Sequence, residues 1–125
     1  MNIKISTKEK FTVITVTEPI LTANMSAEIE RLTDYVSEKI PHLIINLGEV
    51  ETISAEVSHK LAEVQQLFYE KDCSFVICSL KPAAELIFEQ EDLLDLMNTT
   101  PTESEAWDIV NMEEIERELM NDFED

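Results

Sequence analysis

Residues 42–56, HLIINLGEVETISAE, constrain the fold more than any other stretch of this chain. Residues 43–47 form a short apolar run with isoleucines at its centre, the pattern of a strand covered on both faces. Gly48, the only glycine of the protein, sits where the chain must leave that strand. Val57, Leu61, Val64 and Phe68 then recur at spacings of four, three and four, which is one face of a helix. A loop at the carboxyl end of a buried strand, opening a helix, is a frequent place for function in an open α/β sheet. The same pattern also fits plain core followed by a connection.

The elements on either side fit alternating strands and helices. Residues 3–5 and 11–16 alternate apolar and polar side chains and predict two strands joined by a turn around Lys8, Glu9 and Lys10. Pro19 ends the second. Asn24 is a candidate cap for a helix with Ile29, Leu32, Val36 and Ile40 on its apolar face. A helix is predicted over 54–71, a strand over 75–80, and a short helix opened by Pro82 with Ala83, Leu86 and Ile87 apolar. Residues 97–100 read as a weak last strand. Thr102 and Glu105 are spaced as a capping box for the final helix. This order predicts an α/β domain with a mixed sheet of four or five strands and helices packed mainly on one face. At 125 residues the chain suffices for one core.

Charge narrows the function classes. The net charge is -18, and residues 85–125 hold fifteen acids against one base, Arg117. Such a field repels nucleic acid and anionic membranes and favours basic protein partners. Catalytic patterns are not evident. A single glycine excludes a Gly-rich phosphate loop, and His42 and His59 lack ligand spacing to a cysteine or to each other. No cofactor and no metal are expected, and both histidines read as boundary or surface residues. Cys73 and Cys78 read as ordinary core or near-core thiols of a reducing compartment. The first residues lack an apolar signal core, and no run is long enough to cross a bilayer, so the expected location is cytoplasmic.

At this point the chain resembles a known family. The run Asn46-Leu47-Gly48-Glu49-Val50 followed by Ile53-Ser54-Ala55-Glu56-Val57 is similar to the central motif of the STAS domain (sulfate transporter and anti-sigma factor antagonist). In that motif an apolar strand ends in Asp-Leu-Ser, and Asp-Ser-Ser-Gly opens the next helix. Phe75-Val76-Ile77-Cys78 and Pro82 resemble the following strand and helix start. Pro101-Thr102-Glu103-Ser104-Glu105-Ala106 resembles the start of the family's last helix. The departures fall where function is concentrated. The serine that is phosphorylated in anti-sigma factor antagonists falls on Ala55, its preceding aspartate on Ser54, the second serine on Glu56 and the glycine on Val57.

The resemblance implies a non-enzymatic regulator that binds a protein partner, either an anti-sigma factor or a switch kinase, without phosphorylation at the usual position. It leaves room for a homodimer. The implied partner surface is Glu49, Val50, Glu51, Thr52, Ile53 and Ser54, with Ala55, Glu56, Ser58 and His59 of the following helix. Thr52, Ser54 and Ser58 are the alternative phosphorylation positions. A degenerate STAS scaffold that binds another regulator constitutively is a second reading, and an enzyme with an unrecognised site a third.

The domain-like pattern covers residues 1–110, and 111–125 read as an acidic helical extension. Asn111, with Glu114 three residues later, carries its own helix-start signal. Met112, Ile115, Leu119 and Phe123 share one helical face, with Glu113, Glu116, Asp122 and Glu124 around it. This stripe is out of phase with Ala106 and Val110, which implies a kink or break near Asn111. It then either packs on its own domain or docks on a partner.

Overall fold

In a computed structural model the backbone is described for residues 1–124 and the side chains for residues 1–120. Among the described residues seven strands and four α-helices follow one another. They are β1 (Ile3–Thr7), β2 (Phe11–Val16), β3 (Ile20–Leu21), α1 (Ser26–Glu30), β4 (His42–Asn46), β5 (Thr52–Ile53), α2 (Ala55–Glu70), β6 (Phe75–Cys78), α3 (Pro82–Gln90), β7 (Thr99–Thr100) and α4 (Glu103–Glu124). The main sheet has five strands in the order β1-β2-β4-β6-β7. Only the β1–β2 pair is antiparallel; β2, β4, β6 and β7 run parallel. The expected mixed sheet is therefore present, with β4 at its centre.

Alternation along the strands divides the interior in two. Ile14, Val16, Leu43, Ile45, Phe75 and Ile77 face α1, α2 and α3. Phe11, Val13, Ile44, Val76 and Cys78 face the other way, under Ala106 and Val110 of α4. Three helices cover one face and one covers the other. Leu43, Ile44 and Ile45 are each at most 1% exposed, as expected for a strand flanked and covered on all sides. On the α4 side Phe11 meets Trp107 edge-on, with ring centroids 5.2 Å apart, and the Lys8 ammonium lies 5.0 Å from the Trp107 ring centre.

Three expectations need correction. The helix proposed over Ile29, Leu32, Val36 and Ile40 is short. After Glu30 the chain tightens into a 3-10 turn at Arg31–Tyr35, and Val36 is extended. The Thr33 hydroxyl donates to the Glu30 carbonyl at 2.9 Å, a local bond that competes with a continuing helix. Asn24 does not cap α1 with its side chain; Met25 occupies the cap position. The third correction concerns α4, which runs through Asn111 without a break.

With one glycine in the chain, its tight helix exits fall to other residues. Asp72 and Asp92 adopt φ of 56° and 57° just after α2 and α3. In each case the amide two residues past the cap reaches back, Cys73 to the Phe68 carbonyl at 2.8 Å and Leu93 to the Phe88 carbonyl at 2.9 Å. Left-handed aspartate costs about 1 kcal/mol relative to glycine. Asp72→Gly and Asp92→Gly are each expected to raise the unfolding free energy by about 0.5–1 kcal/mol. Urea denaturation of each variant checks this; a loss of stability would contradict the assigned caps.

The second half of α4 is tied to the domain by polar contacts. The Ser74 amide donates to Nδ1 of His42 at 2.9 Å, so His42 carries its proton on Nε2 and donates to Glu114 at 2.6 Å. Arg117 donates to the Ser74 hydroxyl at 3.1 Å. His42 does start β4, but at 3% exposure it is buried rather than at the surface. Glu114→Ala leaves a buried donor without its partner and is expected to cost about 1–3 kcal/mol. Denaturant midpoints measure it, and an unchanged midpoint would show that the contact contributes nothing.

Candidate functional site

The loop between β4 and α2 stands at the carboxyl end of the parallel strands, where a ledge of backbone bonds fixes it. The Leu47 amide donates to the Cys78 carbonyl at 3.1 Å and the Val50 amide to the Leu47 carbonyl at 3.0 Å. The Glu51 amide reaches the Pro19 carbonyl at 2.8 Å, and the Ser54 amide reaches the Leu21 carbonyl at 2.9 Å. Between these bonds β3 and β5 pair in parallel, Ile20 with Thr52 and Leu21 with Ile53. This small second sheet ties the loop to β3 and makes it a shelf.

Gly48 lies at a close approach of two side chains. A side-chain carbon there would sit 3.0 Å from the Asn46 amide oxygen and 3.3 Å from Cβ of Ser79. Asn46 uses that oxygen to accept from the Gly48 amide at 2.8 Å. Its amide nitrogen donates to Glu103 at 3.2 Å, which joins the loop to the base of α4. Ser79, on the other side of Gly48, holds a left-handed φ of 65°. Cys78 pairs with Asn46 across the strands. Burial pushes its thiol up to about 11, so it is protonated and unreactive at neutral pH.

The ten residues singled out in the sequence separate into two groups. Val50, Ile53 and Ser58 are buried, at 0%, 3% and 0% exposure. The first two pin the loop to the core. The Ser58 hydroxyl donates to the Ala55 carbonyl at 2.6 Å inside the helix. These three do not present side chains to a partner, and Ser58 is not an accessible phosphoacceptor; the loop turns Val50 and Ile53 into the core, and Ser58 lies on the buried face of α2. Glu49, Glu51, Glu56 and His59 are exposed, and Thr52, Ser54 and Ala55 are partly exposed. Ser54 caps α2, its hydroxyl oxygen accepting from the Val57 amide at 3.3 Å. Ala55 is the first residue of the helix.

The rim is mostly acidic. Glu51 meets Lys81 at 2.5 Å and His59 meets Glu91 at 2.8 Å. Among the described residues Glu49 and Glu56 have no ion-pair partner. Glu56 lies in the first turn of α2, where its charge suits the positive end of the helix. The sequence reading missed Ile20, which is 51% exposed beside Thr52 and forms an apolar neighbour to the charged rim. Its signal was faint, because a two-residue strand has no periodicity. Among the described residues no group of three or more His, Cys, Asp or Glu side chains is placed to hold a metal ion.

The sequence matches the family model of the STAS domain over residues 2–106. The chain belongs to the STAS domain family. Solved structures agree in fold. An anti-sigma factor antagonist from Mycobacterium paratuberculosis is 20% identical with a TM-score of 0.73, over 88% of this chain and 93% of the other. An anti-sigma-factor antagonist (STAS) domain protein from Planctomyces limnophilus is 16% identical with a TM-score of 0.68, over 83% of this chain and 93% of the other. The murine solute carrier 26 family member A9, an anion transporter, is 9% identical with a TM-score of 0.64; the match spans 86% of this chain and 18% of that one. No curated protein matches the chain in sequence. The same fold thus occurs in anti-sigma factor antagonists and within an anion transporter, so the fold does not fix the function of this STAS domain. Among the described residues no helix is long and apolar enough to cross a membrane.

Proposed function

We propose that this STAS domain is a protein-binding regulator of the anti-sigma factor antagonist type. It would engage a kinase-like anti-sigma factor or switch kinase through the β4–α2 ledge and the first turn of α2, without catalysis or cofactor of its own. The observation that carries the reading is the placement of Ala55. It opens α2 directly after the capping Ser54, partly exposed on a backbone-fixed shelf, and the sequence resemblance aligns it with the phosphoacceptor of the family motif. Lacking a hydroxyl, it cannot be phosphorylated, so the domain would bind constitutively. Glu56 supplies one fixed negative charge nearby. It carries less charge than a phosphate and has another shape, and it serves the helix first.

Ser54 is the remaining hydroxyl at the helix start. Phosphate there would remove the cap oxygen from the Val57 amide. Incubation with host lysate and ATP, followed by mass spectrometry, tests the constitutive reading. The expected result is no stoichiometric phosphate on residues 52–58 of the natural chain, and phosphate on Ala55→Ser. Stoichiometric modification of Ser54 in the natural chain would show that the switch has moved by one residue.

A further inference from the structure

A separate apolar surface lies on the other side of the sheet, on the outside of α4. At 3.6 residues per turn, helix positions nine apart point in roughly opposite directions. Ala106 and Val110 are fully buried against the sheet. Ile115 and Leu119 therefore face outward, at 54% and 53% exposure, with Met112 at 56%. The phase difference seen in the sequence is resolved by one continuous helix with two opposite apolar faces. Phe123, the last member of the predicted stripe, lies outside the described side chains.

The inner contacts of this half are Glu114 to His42 and Arg117 to Ser74. The usual mounting of an amphipathic helix is thus inverted, with polar groups inward and apolar groups in water. A contiguous exposed apolar stripe of this kind marks an interaction surface.

We propose that the outer face of α4 docks a basic amphipathic segment of a partner protein. Its apolar side would cover Met112, Ile115 and Leu119, and its Lys or Arg side chains would meet Asp108 and Glu116. These two acids stand four residues before and four after Met112, on the same exposed face. Residues 103–120 hold seven acids and one base, and that base, Arg117, is turned to Ser74. A second copy would bring two acidic rows together, and an anionic membrane would be repelled in the same way. Charge complementarity therefore selects a basic protein surface. This face is carried by α4 on one side of the sheet and the proposed partner ledge opens α2 on the other, so the two fail independently.

The test uses the full chain and a fluorescent Leu/Lys amphipathic helical peptide, with a Leu/Glu peptide of the same pattern as control. Fluorescence anisotropy is expected to show salt-sensitive binding of the Leu/Lys peptide and none of the Leu/Glu peptide. Ile115→Asp with Leu119→Asp is expected to weaken binding by about tenfold or more, and Ala55→Arg to leave it unchanged. Should the apolar pair lose helix content, Asp108→Lys with Glu116→Lys decides, since it keeps the stripe apolar and removes the charge match. Undiminished binding by both pairs would overturn the proposal. So would sedimentation as a dimer that Leu119→Asp dissolves and the peptide does not compete with, because the occupant would then be a second copy.

Discussion

Phe75→Ala is expected to lower the unfolding free energy by about 3–5 kcal/mol, the range for a large aromatic removed from a packed core. Phe75 is fully buried on β6, on the face covered by α2. Its ring lies 5.3 Å from that of Phe68, which α2 carries near its carboxyl end. The cavity would open between a central strand and the longest helix of that layer, where neither can close it by a local shift. Domains of this size have total stabilities of about 5–15 kcal/mol, so the loss would be a large share. Urea denaturation should show a much lower midpoint with an unchanged slope. A cost below about 1 kcal/mol would mean that Phe75 is not wedged between β6 and α2.

Much of this core was legible in the sequence. The apolar run at residues 43–47, the 4-3-4 spacing from Val57 to Phe68 and Pro82 at the start of α3 are local signals, and the structure follows them. What the sequence concealed depends on distant partners. The β3–β5 pair joins residues about thirty apart through two-residue strands, and no local pattern announces it. His42 looked like a boundary residue, because its partners, Ser74 and Glu114, come from two other elements. The apolar positions Ile29, Leu32 and Val36 are spaced for a helix and do reach the same core. They do so from a tighter path, because Thr33 bonds locally.

The α4 stripe was legible as a pattern and misread as a break. Phase alone does not say whether a helix bends to bury a second face or stays straight and exposes it. Here the helix is continuous, with Glu114 and Arg117 tied to the domain on its inner side. Truncation after Val110 is expected to leave a folded domain, weakened by the loss of those two contacts. At the candidate site, the strand exit and the helix start were legible in the sequence, whereas the inward turn of Val50, Ile53 and Ser58 required the fold.

Ala55→Arg is expected to abolish partner binding, by about 100-fold or more, which corresponds to roughly 2.7 kcal/mol. The residue sits at the first position of α2, flanked by exposed Glu56 and the Glu51 rim. A long cation there covers the helix start, opposes the helix dipole and inverts the local charge that a basic partner would meet. The site is partly exposed, so the domain should remain folded, with an unchanged far-UV spectrum. Ile20→Asp, on the apolar neighbour of the ledge, is expected to weaken the same binding. The outer-face pair Ile115→Asp with Leu119→Asp should leave it intact.

The proposed role has this domain hold its partner through the start of α2 with no phosphate switch there. Isothermal titration with the kinase-like anti-sigma factor of the same organism, before and after incubation with ATP, tests it most directly. Equal affinity under both conditions is expected for the natural chain, loss of binding for Ala55→Arg, and ATP-dependent release only for Ala55→Ser. Release of the natural chain by ATP, or undiminished binding by Ala55→Arg, would contradict it.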